Sequence, residues 1–165
     1  MTESFLGLGS NLGDRLTNLS EAVSLLNATD GVEVTRSSRV YETDPVGGPE
    51  DQPAFLNAVV EVHTVLDARA LLEVCLAVEA AMGRVRNERW GPRNIDVDLL
   101  TFDRERIDED DLTVPHPRMH ERLFVLAPLL ELDADPQLPG GRRAMTMRLD
   151  HVDVSGARSF APPLA

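Results

Sequence analysis

From Asn94 to Leu100 the chain alternates: Ile95, Val97 and Leu99 are apolar, and Asn94, Asp96 and Asp98 between them are polar. A period of two marks a strand with one buried face, and it places both aspartates together on the other face. Two carboxylates at i and i+2 repel unless a cation lies between them. A hard divalent cation fits, because Mg²⁺ takes oxygen ligands and is shared between one or two carboxylates and substrate phosphates. Immediately upstream, Arg84, Arg86, Arg89 and Arg93 stand against a single Glu88, with the only tryptophan, Trp90, and the turn signal Gly91-Pro92 among them. Guanidinium forks match phosphate geometry. Metal-competent acids beside phosphate-competent bases describe a site for a polyphosphate substrate such as a nucleotide. Arginines alone would be expected to pair with surface acids. The alternation that pins both aspartates to one face favours the site.

Composition narrows the class. All sixteen basic residues are arginine, so no Schiff-base lysine, pyridoxal-phosphate lysine or Walker-type lysine exists. Any phosphate chemistry must run on arginine, backbone amides, histidine and metal. The net charge of −12 argues against a nucleic-acid partner, which needs a basic face. The segment from Gly83 to Asn94 is nevertheless net positive, which suits a local phosphate pocket. A lone cysteine, Cys75, reads as a small buried side chain in a reducing compartment. The apolar runs are short, so neither a leader nor a membrane span is expected. The expected product is a cytoplasmic monomer with one domain over 1–150 and a loose tail over 151–165.

Along the chain, Ser4 to Ser10 reads as a buried strand, with Gly7, Gly9 and Gly13 assigned to tight turning. A helix from Asp14 to Ala28 buries Leu16, Leu19, Val23 and Leu26 and stops at Asp30-Gly31. Val32 to Tyr41 reads as an edge strand. Thr43 to Pro53, with three prolines and two glycines, reads as a long binding loop. Phe55 to Val65 is a strand with Leu56, Ala58, Val60 and Val62 on one face and Phe55, Asn57, Val59, Glu61 and His63 on the other. His63 reads as an ordinary sheet-surface histidine. Asp67 caps a helix from Ala68 to Met82. The order β-α-β-β-α-β predicts an α+β, ferredoxin-like sandwich, an antiparallel sheet with helices on one face, extended at the C-terminus. A charged turn, Asp103 to Asp111, and a short helix around Leu123 to Leu130, broken near Pro128, complete the reading.

Several blocks now resemble one family, the 6-hydroxymethyl-7,8-dihydropterin pyrophosphokinases. They are Gly9-Ser10-Asn11-Leu12-Gly13, Asp51-Gln52-Pro53 with Phe55-Leu56-Asn57-Ala58, Gly83-Arg84-Val85-Arg86, Arg89-Trp90-Gly91-Pro92-Arg93, Ile95-Asp96-Val97-Asp98, and Leu112-Thr113-Val114-Pro115-His116. The resemblance implies an ATP- and Mg²⁺-dependent pyrophosphokinase of folate biosynthesis, using two Mg²⁺ ions. Its small-molecule partners would be ATP and 6-hydroxymethyl-7,8-dihydropterin, with no nucleic acid and no membrane. Asp96 and Asp98 match the metal ligands, and Arg84 and Arg93, with Arg86 nearby, match arginines on the polyphosphate. Phe55 and Phe124 match the aromatics that sandwich the pterin, whose edge is read by Asn57 and the backbone around Thr43, Pro45 and Val46. Trp90 matches a position lining both substrates. Ile95, Thr113, His116 and Arg122 match the nucleotide side, and Glu79 matches an acid near it.

The chain departs from that pattern at four places. Asp111 stands where arginine is frequent, Leu76 where glutamine is common, Phe55 where tyrosine is common, and the arginine loop is one residue shorter. None touches the aspartate pair. Two rival readings remain: a metal-dependent phosphohydrolase, which would turn over ATP without pterin, and a ligand-sensing module, which would bind an effector without Mg²⁺.

Overall fold

The computed structural model describes residues 1–44, 53–83, 94–117, 119, 123–133, 136 and 157–165. Strand β1 (Thr2–Ser10) leads into helix α1 (Arg15–Asn27), then β2 (Val32–Ser37), β3 (Val40–Thr43) and β4 (Phe55–Thr64). Helix α2 (Ala68–Ala81) precedes β5 (Asp96–Phe102), the hairpin β6 (Ile107–Glu109) and β7 (Leu112–Val114), helix α3 (Leu123–Leu132) and β8 (Ala157–Ala161). The main sheet runs β5-β1-β4-β3-β8, with β2 also pairing β4, and the pairings are all antiparallel. This is the expected ferredoxin-like α+β arrangement with additions.

Helices α1 and α2 each start where a cap dictates. Asp14 accepts from Thr17 N at 3.2 Å and Asp67 from Ala70 N at 2.8 Å. Leu19, Ala22, Val23 and Leu26 of α1, with Leu71, Cys75 and Val78 of α2, pack on Leu6, Leu8, Leu56, Val60, Val62, Val97 and Leu99. Leu16, expected on that stripe, is 36 % exposed instead.

Four elements differ from the sequence expectation. The strand expected over Val32 to Tyr41 is two strands, because Ser38 interrupts the ladder and replaces it. Its N–H donates to Val59 O at 2.8 Å, and its Oγ accepts from Val59 N at 2.9 Å. Second, Ile107–Glu109, expected within a charged turn, pairs with Leu112–Val114. Third, helices cover both sheet faces: α3 packs Val125, Leu126 and Leu129 on Phe5, Val59 and Leu100, opposite α1 and α2. Pro128 stays inside α3. An interior proline costs about 3 kcal/mol, whereas each large apolar side chain buried returns about 1.5–3 kcal/mol, so packing wins. Fourth, within the stretch expected as a loose tail, Ala157–Ala161 is a strand on the edge of β3. Among the described residues no helix is long and apolar enough to cross a membrane.

The side of the sheet near the end of α3 is held by a buried acid. Glu61, 5 % exposed, accepts from Arg36 at 2.5 Å and from Thr35 Oγ1 at 2.8 Å. Burial pushes its carboxyl up, but the Arg36 and Thr35 hydrogen bonds outweigh burial and hold it below the usual glutamate range. A depressed folded value means that this stabilisation is fully present above the ordinary glutamate range and is lost as pH falls from there through the lower folded value. Urea unfolding between pH 7 and pH 3 should therefore show a steep acid-side loss in the wild type and a shallower one in Glu61→Gln. Equal acid-side slopes would contradict the assignment.

Candidate active site

β5 lies at one edge of the sheet, and its burial alternates as the sequence requires. Asp96 and Asp98 are half-buried, while Val97 and Leu99 sit in the core beneath α2. In the β1–β5 register Gly9 faces Asp96 and Gly7 faces Asp98. In the β1–β4 register the same glycines face Asn57 and Val59. The two carboxylates and the amide of Asn57 thus flank a strip of backbone that carries no side chains.

This corrects the role of the glycines. The described glycines at positive φ are Gly13, Gly31 and Gly83, so turning does not explain Gly7 or Gly9. Their contribution is the missing Cβ. A Cβ at Gly9 would stand 2.9 Å from Asn57 Oδ1, whereas at Gly7 the nearest atoms would be those of Leu100 at 3.5 Å. Asn57 has little room to yield: it is 4 % exposed, and its Nδ2 donates to Thr43 Oγ1 at 2.7 Å. Phe55, half-buried, opens the same face of β4 and lies opposite Thr43.

An edge strand leaves alternate N–H groups pointing away from the sheet. The N–H of Val97, between the two aspartates, donates to Glu79 Oε2 at 2.9 Å, and Glu79 is itself buried. The acid expected near a nucleotide therefore also braces the backbone of the aspartate strand. The field of this acidic edge reaches Cys75. Burial first, and then the carboxylates of Asp98 and Glu79, push its thiol far up, so it stays protonated and is no nucleophile.

Of the expected nucleotide-side residues, Ile95 is fully buried, with its side chain in the core beneath α2. Thr113 is exposed on β7, and His116 is half-exposed, its N–H donating to Leu100 O at 2.7 Å just past Asp98. Asp111 is bound by Arg69 Nη1 at 3.0 Å, and Arg69 Nη2 reaches Glu109 at 2.5 Å. The acid that replaces the family's frequent arginine thus ties the β6–β7 hairpin to α2. Leu76 is 46 % exposed.

Pro45, Val46, Arg84, Arg86, Trp90, Arg93 and Arg122 lie outside the described residues, as does the side chain of Phe124. What the structure gives for the arginine segment is its two ends. Asn94 Nδ2 donates to Met82 O at 2.5 Å, so the chain leaves and returns at one point beside Asp96.

At the far end of the same face Glu3, Glu61 and His63 come together, but Glu61 already carries Arg36, and His63 is the half-exposed surface histidine expected. Sequence reasoning gave no individual role to two residues near the site. Asn11, fully buried, donates to Pro53 O at 3.2 Å, and Arg15 donates to Ala54 O at 2.9 Å. The only available signal was their position beside the glycine block.

The donor chemistry fits a hard cation. Two half-buried carboxylates share one face of a braced strand, with the glycine backbone of β1 beside them.

Comparisons with known proteins give the family. The sequence model of the family described as 7,8-dihydro-6-hydroxymethylpterin-pyrophosphokinase (HPPK) matches residues 5–134. The 2-amino-4-hydroxy-6-hydroxymethyldihydropteridine pyrophosphokinase of Bacillus subtilis is 54% identical over 78% of this chain and 77% of its own length. The protein of the same name from Methylorubrum extorquens is 46% identical over 94% of this chain and 97% of its own. Among solved structures, an HPPK-DHPS in complex with substrates superposes with a TM-score of 0.63 at 15% identity, covering 79% of this chain. This chain spans 40% of that longer one, and the likeness speaks for the fold alone.

Gly9→Ala should cost about 1–3 kcal/mol, the range for overpacking, in chemical denaturation. In an Asn57→Ala background the same change should cost far less, because the clashing amide is gone. Equal costs in both backgrounds would contradict the close approach.

Proposed function

This chain belongs to the 7,8-dihydro-6-hydroxymethylpterin-pyrophosphokinase family, and on that premise we propose that it transfers pyrophosphate from ATP to 6-hydroxymethyl-7,8-dihydropterin in folate biosynthesis. The observation that carries this reading is the placement of Asp96 and Asp98 across two glycines from Asn57. Two strand spacings separate β5 from β4, about 10 Å, a span suited to a polyphosphate lying between a metal-binding edge and a flat heterocycle.

In the reaction the pterin hydroxymethyl oxygen forms a bond to the β-phosphorus of ATP. The bond from that phosphorus to the α–β bridging oxygen breaks, and AMP leaves with the electron pair. Such transfers need alignment and charge neutralisation more than covalent help from protein. Asp96 and Asp98 would hold two Mg²⁺ ions, which when bound supply positive charge to the phosphate oxygens and lower the cost of ionising the hydroxyl. Glu79 keeps the backbone between these ligands in place through Val97 N–H. Arg84, Arg86 and Arg93 supply guanidinium forks to the transferring group, and Trp90, Thr113, His116 and Arg122 belong to the nucleotide side. Phe55 and Phe124 stack on the pterin. Asn57 reads its edge, with its amide orientation set by Thr43.

Mass analysis after incubation with ATP, Mg²⁺ and the hydroxymethyl pterin tests the reading. AMP and a pterin heavier by one pyrophosphate are expected. ADP and inorganic phosphate, formed without any need for pterin, would contradict it. Asp98→Ala should retain the wild-type circular dichroism and lose at least about 10²–10³ in turnover, the scale of losing one preorganised electrostatic group; near-normal turnover would remove the metal role. Phe124→Ala should weaken pterin binding in calorimetry and spare ATP-analogue binding, and equal loss of both would contradict stacking.

A further inference from the structure

The face of the sheet opposite the site carries a charged clasp that the reaction itself does not use. Glu42, on β3, is the centre of it. Its Oε2 accepts from Arg15 Nη1 at 2.8 Å, and its Oε1 accepts from Arg158 Nη2 at 3.3 Å. Arg15 is the first residue of α1, and the same nitrogen donates to Ala54 O at 2.9 Å. Its guanidinium also lies 5.5 Å from the centroid of the Phe160 ring on β8. Arg158, also on β8, reaches past Glu42 to Asp44 Oδ1 at 3.3 Å.

These contacts join four pieces of chain: the start of α1, the end of β3, the residues leading into β4, and β8. Two of them, Asp44 and Ala54, stand at either end of the segment that contains Pro45 and Val46. On the opposite face of β3, directly beside Glu42, Thr43 accepts the hydrogen bond that orients Asn57. The clasp therefore holds the pterin side from behind, through β3.

We propose that Arg15 is a positioning residue for the pterin, and that through Glu42 and Arg158 it makes the C-terminal strand β8 part of the pterin-binding apparatus. The inference rests on the reading of Thr43 and Asn57 as pterin-side residues. The geometry is better than that of an ordinary surface pair. The Arg15 and Glu42 side chains are each 24% exposed, both carboxylate oxygens are used, and the guanidinium is packed against an aromatic ring. The Arg15 hydrogen bond in first place, with Arg158 adding, holds the Glu42 carboxyl below its usual range, so the clasp stays charged at neutral pH. Arg15 bonds one stem of that segment at Ala54 O and Glu42 beside the other, and packs on Phe160 of β8.

Arg15→Met keeps an apolar stem over Phe160 and removes both hydrogen bonds. Fluorescence titration with the hydroxymethyl pterin, in the presence of Mg²⁺ and a non-hydrolysable ATP analogue, should show the pterin Kd rising about tenfold, the loss of one partly screened charge-assisted bond. The ATP-analogue Kd and kcat at saturation should stay within about twofold of wild type, since nothing on the β5 side is touched. Arg15→Lys, which keeps a charged donor, should recover part of the loss, and Arg158→Ala should show a smaller rise in the same direction. If Arg15→Met unfolds, the milder Glu42→Gln gives the same readout. Unchanged pterin affinity, or parallel loss of both ligands, would overturn the inference while the wild type's own pterin binding left the function standing. A wild type that binds no pterin would overturn the function, and the inference with it.

Discussion

The register of β1 between β4 and β5 is the constraint on which the rest depends. One strand pairs with both neighbours, so a single choice of register decides what faces what across three strands. It sets Gly7 and Gly9 between two carboxylates on one side and Asn57 and Val59 on the other. Because side chains alternate with a period of two, a slip of one residue would turn every one of these groups to the wrong face. Leu6 and Leu8, buried under α1 and α2, prevent that slip. The apolar half of β1 therefore aligns the candidate site beside which the glycine half runs.

Burial is divided accordingly. On one face of the sheet α1 and α2 cover β1, β2, β4 and β5. Among the described residues, the other is covered by α3 over Phe5, Val59 and Leu100. The polar groups occupy what α3 leaves: Asp96 and Asp98 on the edge strand, Asn57 and Thr43 two strands away. Fixing such groups within a rigid sheet is what preorganised electrostatic catalysis requires, since nothing then has to reorganise as charge develops. The braces are backbone-directed. Glu79 holds Val97 N–H, His116 N–H holds Leu100 O, and Asn94 holds Met82 O.

Local pattern revealed much of this. The alternation around Asp96 and Asp98, the caps Asp14 and Asp67, and the apolar stripes of α1 and α2 are all short-range signals, and the structure bears them out except at Leu16. What stayed hidden depends on partners distant in sequence. Ala157–Ala161 has little apolar patterning of its own, and its order comes from pairing with β3 and from Arg158 reaching Glu42 and Asp44. Pro128 reads as a helix breaker until α3 is seen packed on the sheet. Gly9 reads as a turn residue until Asn57 is found against it. Asp111, conspicuous as a departure, becomes intelligible only once Arg69 is seen to bind it.

If Asp96 and Asp98 hold divalent cations and Asn57 holds the pterin, metal and pterin lie about two strand spacings apart, some 10 Å. Replacing Mg²⁺ with paramagnetic Mn²⁺ in the complex with pterin and an ATP analogue, and measuring relaxation of the pterin protons by NMR, tests this directly. Strong enhancement that is lost in the diamagnetic Mg²⁺ complex and corresponds to a separation near that value is expected. Bound Mn²⁺ that leaves the relaxation of bound pterin unchanged would place metal and pterin in separate sites and contradict the account.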